Sequence, residues 1–333
     1  MGRPITVLVL LALAWWWLTA GPSAQHVADE PPRVIGRKGL MPGRFYKPRA
    51  VAVGATGDFY VADKSGRIQY FDAELNFVLE WELPEFEKGQ PVGLAVDADS
   101  TLLVNDSHYS RILRYSPRGE KLLAKWGQFG TGPGEFRWGR DVVVDSGGNV
   151  YAGDYGEYVD RIHKFSPTGE FILQWGTRGT KPGEFGRPQG MALEHRGDKE
   201  FLLVADCGNH RIQRFTVDGE FVDAIGKLGQ GPGEFTYPYA VDVDSRGNLY
   251  VCEWQNSRIQ KLSADGEFLG VWGAAGSKVG ELSTPWDLEI GPDDRIYVVD
   301  HGNHRVQVFH WQQATMTASG VIDLRAERQE IES

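Results

Sequence analysis

From Pro188 to Phe235 the chain reads P-Q-G-M-A-L-E-H-R-G-D-K-E-F-L-L-V-A-D-C-G-N-H-R-I-Q-R-F-T-V-D-G-E-F-V-D-A-I-G-K-L-G-Q-G-P-G-E-F, and this stretch holds the complete unit from which the molecule is built. A short apolar run follows the proline. A second run ends in an acid, Asp206, and a third opens on Arg211 as R-I-Q-R-F. The V-D-G-E turn at Val217 leads to a fourth run that ends in Ile225-Gly226. Four runs of strand length separated by Gly, Asp and Asn turns predict a small antiparallel sheet.

The unit recurs along the chain. Its opening residues are Pro48, Pro91, Gly139, Pro188, Pro238 and Pro285, spaced 43, 48, 49, 50 and 47 residues apart. The acid recurs as Asp63, Asp106, Asp154, Asp206, Glu253 and Asp300, and the arginine as Arg67, Arg111, Arg161, Arg211, Arg258 and Arg305. A period in the forties with four strands per unit predicts an all-β, six-bladed β-propeller of four-stranded antiparallel blades. The sixth unit stops after Val306-Gln307-Val308-Phe309 and lacks its fourth strand. Residues 34–45, V-I-G-R-K-G-L-M-P-G-R-F, copy the ending A-I-G-K-L-G-Q-G-P-G-E-F of residues 224–235. Arg33 to Ile35 are therefore expected to supply the outer strand of the last blade, which leaves no open end to the array. One domain, spanning 33–310, is expected.

The stretches C-G-N-H-R-I-Q-R-F at Cys207, Q-N-S-R-I-Q-K-L at Gln255 and H-G-N-H-R-V-Q-V-F at His301 resemble the NHL repeat, over roughly residues 33–310. The resemblance implies the propeller fold. It leaves function open, because NHL propellers serve as RNA-binding modules, adaptor platforms, receptor sensor domains and, in one branch, an amidating lyase. In that lyase, zinc is held by histidines placed just after the opening prolines. The corresponding residues here are Arg49, Val92, Arg140, Gln189, Tyr239 and Trp286, without a histidine. His210 and His304 stand where the repeat pattern itself places histidine and are read as structural.

Arg3 precedes an apolar run from Ile5 to Leu18, and T-A-G-P-S-A follows to Ala24. Residues 1–24 read as a secretory signal or, uncleaved, as an N-terminal membrane anchor; the run is short beside the roughly 20 residues of a spanning helix. Either way the propeller is expected to be exported, periplasmic or extracellular. Without the leader, 34 basic residues face 45 acidic ones, a net charge of −11, which argues against nucleic acid as a partner. Cys207 and Cys252 flank equivalent acids at different levels of neighbouring blades, so a disulfide is not expected. Residues 311–333 are a polar, charged tail, with a short helix expected near 322–331, and the protein is expected to be a monomer.

In a four-stranded blade the inter-blade loops and the loops from second to third strand emerge on one face. That face is expected to carry the ligand-binding residues Arg49, His108, Arg140, Tyr155, Tyr239, Trp254, Trp286 and His301, which vary between units while their neighbours repeat. Aromatic rings beside a few charges suit a protein, peptide or glycan partner. The opposite face offers turn residues explained by turn geometry. Trp81, Trp126, Trp175 and Trp272 recur at one position and are read as blade packing.

The innermost strands carry Ala or Gly two and four residues after most opening residues, but Asp141, Asp242, Asp287 and Glu289 break that rule. Carboxylates crowded around an axis must share protons, be hydrated or bind a cation. The cation would be calcium or magnesium in the central channel, given oxygen-only donors. Two functions follow: a non-catalytic binding or scaffolding module, or a metal-dependent lyase or hydrolase at the channel mouth with Tyr239, His108 or His301 as acid or base. No G-x-S-x-G or H-E-x-x-H motif supports the second.

Overall fold

The computed structural model describes residues 31–87, 90–156 and 158–311. The leader and the tail from 312 onward, with its expected helix, lie outside the described residues. Six four-stranded antiparallel sheets surround an axis. Their innermost strands are Pro48–Val53, Pro91–Val96, Trp138–Val144, Pro188–Arg196, Pro238–Val243 and Asp287–Ile290. We number the blades one to six in that order. Blade six is completed by Arg33–Ile35, which pairs antiparallel with Arg305–His310 and sets Arg33 opposite Val308 and Ile35 opposite Val306. The closure read from the repeated G-R-K-G-L-M-P-G-R-F segment is the one observed.

Each blade is a twisted sheet that buries both faces, so the core is divided into wedges between neighbouring blades rather than gathered in one centre. Five wedges are pinned by the last residue of the inter-blade loop. Phe45, Phe136, Phe185, Phe235 and Leu282 are buried there among branched residues of the two adjoining sheets. Burying one such side chain stabilises by about 1.5–3 kcal/mol. Between blades one and two the loop reads W-E-L-P instead, and Leu83 fills the wedge.

The acid and arginine that never skip a unit form an ion pair in every blade. The closest approaches are 3.0 Å for Asp63–Arg67, 2.9 Å for Asp106–Arg111 and 3.3 Å for Asp154–Arg161. The remaining three are 2.8 Å for Asp206–Arg211, 2.5 Å for Glu253–Arg258 and 2.7 Å for Asp300–Arg305. Each pair also ties down the loop arriving from the preceding blade. In blade six, Arg305 donates to the carbonyls of Lys278 and Glu281 while Asp300 accepts from the backbone of Ser283. A buried pair is tolerated because these extra bonds satisfy its remaining donors and acceptors. His210 and His304 have the structural role read from the pattern: their Nδ1 atoms accept the backbone N–H of Tyr237 and Lys47, each in the loop leading to the next blade.

Near the axis the strands approach closely enough to exclude side chains. A Cβ on Gly190 would lie 2.6 Å from Ala240 Cα, and one on Gly93 2.6 Å from the Arg140 carbonyl oxygen. Cys207 and Cys252 are both free and buried.

Candidate binding site at the top of the channel

The residue that follows each opening position points toward the axis at one end of the channel. Arg49, Val92, Arg140, Gln189, Tyr239 and Trp286, one from each blade, close that end as a ring above Asp141 and Asp287. The space they enclose is about 10 Å³, room for a single water-sized atom. Below the ring the channel widens to a cavity of about 200 Å³ lined by branched residues and by Asp141, Asp242, Asp287 and Glu289.

Around the ring the expected residues form one connected cluster. Trp254 stacks on Tyr239 at 5.7 Å between ring centroids, Tyr239 meets the face of Trp286 at 5.1 Å, and Trp286 stacks on His301 at 4.5 Å. Guanidinium groups cover these rings: Arg49 lies 5.3 Å and Arg140 5.7 Å from the Trp286 centroid. Arg140 also lies 5.4 Å from the Tyr155 centroid. His108 is the outlier. It packs edge-on against Trp138 at 5.5 Å and joins the cluster through its field rather than by contact.

Arg187 belongs to the cluster and was not foreseen. It precedes the opening proline of blade four, sits 5.3 Å from the Tyr155 ring and donates to the Tyr239 hydroxyl at 3.3 Å. A signal existed in the variability of that position, which holds Lys47, Arg187, Tyr237 and Thr284 in four blades, all with positive φ. The left-handed backbone there turns the chain into the inner strand. Beside Arg187, a groove of about 510 Å³ between blades three and four is lined by Tyr155, Asp160, Arg178 and Phe185. Burial raises Asp160 to about 6 even though Arg178 opposes the shift.

The electrostatics of the cluster are positive. Burial and then the neighbouring Arg140 lower Arg49 to about 10. Burial also lowers Arg140, whose Nε donates to Gln189 Oε1 at 2.8 Å. His108 is pushed down by burial and then by Arg49 and Arg140. His301 is lowered to about 4, chiefly by burial, although its Nδ1 is 2.9 Å from the Pro48 carbonyl oxygen. Among the described residues no carboxylate forms an ion pair with Arg49, Arg140 or Arg187, although Arg140 lies close enough to Asp141 to oppose the rise of that carboxyl.

The channel carboxyl groups have a different employment. The innermost strand of a blade is an edge strand, and its outward N–H groups have no ladder partner. Asp141 accepts from the Met191 amide of the next blade at 2.7 Å and Asp242 from Ile290 at 2.6 Å. Asp287 accepts from Val51 at 3.0 Å, and Glu289 is bonded by the Val53 amide. Each carboxyl therefore staples one blade to the next. Each stays partly accessible from the channel, yet protein encloses it on all sides, and that enclosure dominates its ionisation. Burial raises Asp141 and Asp242 to about 7. It lifts Asp287 and Glu289 well above the usual carboxyl range, with repulsion from the neighbouring carboxylates adding to the rise. For the calcium or magnesium expected in the channel, no group of three or more His, Cys, Asp or Glu side chains is arranged to hold a metal ion among the described residues.

Comparison with known proteins agrees with this architecture. The NHL repeat family matches residues 282–309, and a family described as a 6-bladed beta-propeller matches residues 198–274. Among solved structures, a streptogramin B lyase is 13% identical with a TM-score of 0.61, covering 86% of this chain and 100% of that one. A gluconolactonase from Xanthomonas campestris is 18% identical with a TM-score of 0.60, covering 87% and 99%. A virginiamycin B lyase from Staphylococcus aureus, solved with quinupristin, is 14% identical with a TM-score of 0.58, covering 88% and 89%. At these identities the likeness is one of fold.

Proposed function

We propose that this six-bladed propeller, which carries the NHL repeat, is an exported, non-catalytic module that binds a protein, peptide or glycan partner through the top of its channel. The carrying observation is the connected series of rings Trp254, Tyr239, Trp286 and His301, stacked except for the edge-to-face meeting of Tyr239 and Trp286, overlaid by Arg49, Arg140 and Arg187, with no ion-paired carboxylate among the described residues. Rigid aromatic surface and uncompensated guanidinium charge at a concave mouth are what a partner can use, since burying them yields both area and charge-assisted hydrogen bonds. Export rests on the pattern of the first 24 residues.

A second reading, a lyase or hydrolase at the same mouth, draws support from His301. It is neutral at physiological pH and oriented by the Pro48 carbonyl, as a general base must be. The lyases and gluconolactonases of similar fold make that reading worth testing beside the first.

A thermal-shift panel of peptides, sugars and lactones on the full chain purified from an exporting host separates the two. The binding reading predicts a stabilising compound that is recovered unchanged. Its effect is lost in Trp286→Leu and Arg49→Met and kept in Asp294→Asn at the opposite channel mouth. Loss in the opposite-face variant contradicts the top-face assignment, and consumption of the compound contradicts the non-catalytic one.

A further inference from the structure

The ring contains two buried donors without an acceptor. Gln189 is 3% exposed. Its Oε1 is taken by Nε and Nη2 of Arg140, which fixes the amide orientation and leaves Nε2 unpartnered. Arg49 Nε is also buried and unpartnered. A native structure rarely leaves such groups unmet, because each costs most of a desolvation penalty without return. Both belong to the six residues that enclose the one-atom space at the mouth.

We infer that this ring is a receptor for one oxygen of a ligand carboxylate, presented by a molecule whose body lies over the aromatic stack and along the groove between blades three and four. The inference rests on the binding reading above and names the chemical group that the site recognises. The unpartnered groups of the ring are both donors, Gln189 Nε2 and Arg49 Nε. A neutral hydroxyl would meet one of them and leave the arginine charge uncompensated, whereas a carboxylate oxygen supplies acceptor and charge together. The size of the space selects among anions, since one water-sized atom fits within the ring while the three oxygens of a tetrahedral sulfate or phosphate face do not. Burial raises both carboxyl groups of the floor, Asp287 well above the usual range and Asp141 to about 7, which weakens their opposition to an anion. The groove of about 510 Å³, with Arg187 and Tyr155 joining it to the mouth, accommodates the rest of the ligand.

The test is calorimetric titration of the full chain at pH 7 with phenylacetate, its neutral isostere phenylacetamide, and sulfate. Phenylacetate is expected to bind about tenfold or more tightly than phenylacetamide, the difference of one charge-assisted hydrogen bond, and more tightly than sulfate. Arg49→Met is expected to lose about tenfold for phenylacetate alone. Gln189→Glu supplies the missing carboxylate from the protein itself, so it should abolish phenylacetate binding while matching or exceeding the wild-type melting temperature. That second variant reports even if Arg49→Met folds poorly. Equal affinity for phenylacetate and phenylacetamide overturns the carboxylate inference and leaves the top-face reading intact. Tighter binding of sulfate overturns the single-oxygen receptor. Absence of phenylacetate binding also overturns the inference; the top-face reading falls with it only when the wider panel likewise yields no compound sensitive to Trp286→Leu.

Discussion

Replacing Asp242 by Asn is expected to reduce the loss of stability that the propeller suffers as pH rises. Asp242 accepts the Ile290 amide at 2.6 Å across the joint between blades five and six, and Asn Oδ1 keeps that bond. The ionisation is removed together with the second bond, from the Val243 amide, a loss that acts equally at both ends of the pH range. Burial raises the folded carboxyl from 3.8 to about 7, so folding takes up a proton between those values. The native state is accordingly most stable below the unfolded value and loses stability as pH rises through about 7. A difference of roughly 3 pK units corresponds to about 4 kcal/mol, and access from the channel reduces this to roughly 2 kcal/mol. Removing the charge also relieves Glu289, which is raised by burial and then by Asp242. Urea denaturation at pH 5 and pH 8.5, followed by tryptophan fluorescence, should show the wild type weakening between the two conditions and the variant weakening by about 1 kcal/mol less, since part of the range below 7 already lies under pH 5. A variant that weakens between the two pH values as much as the wild type does would show that the Asp242 carboxyl is not raised in the folded state and that its enclosure has been misjudged.

Blade three provides a gain-of-stability test. In blades four, five and six, Gln213, Gln260 and Gln307 each donate to a loop carbonyl and accept a loop amide, whereas His163 in the same place bonds neither and only approaches Asp154, at 3.7 Å from Nε2. His163→Gln should raise stability by about 1–2 kcal/mol, read as a higher melting temperature, and a loss would refute the equivalence of the blades. Gly190→Ala places a methyl 2.6 Å from Ala240 Cα and should cost about 1–3 kcal/mol in urea denaturation; a neutral result would show that the inner strands can part. Arg305→Met strands the buried Asp300 and cuts two bonds to the loop from blade five, so a loss of about 3–5 kcal/mol is expected by the same assay, and a loss below 1 kcal/mol would deny the pair its role.

The fold was legible because its restraints repeat. An acid and an arginine that must pair recur in every blade four to seven residues apart, and a loop phenylalanine or leucine that must fill a wedge recurs between one blade and the next. The closing strand was legible for the same reason, since Val34 to Phe45 copy a loop whose other copies sit beside complete blades. Much of the top face could be read as well: departures from the repeat at Arg49, Arg140, Tyr239 and Trp286 marked the ring. Arg187 escaped because the residue before an opening proline looks like ordinary loop until the left-handed turn swings it over Tyr239. The unpartnered Nε2 of Gln189 is invisible in sequence, since it depends on Arg140 claiming the other end of the amide. For the channel carboxylates, composition left shared protons, hydration and a bound cation open. Their bonds to the edge strand of the next blade arise from the radial packing of sheets, which no local pattern records.

The claim that a ligand enters at the ring of six residues is tested most directly by nuclear magnetic resonance of the full chain with its tryptophan indoles labelled, during a phenylacetate titration. The account predicts that the indole signals of Trp254 and Trp286 move together and saturate, while those of Trp81, Trp126 and Trp175, packed between blades, stay in place. Movement of the packing tryptophans with Trp254 and Trp286 at rest would contradict it.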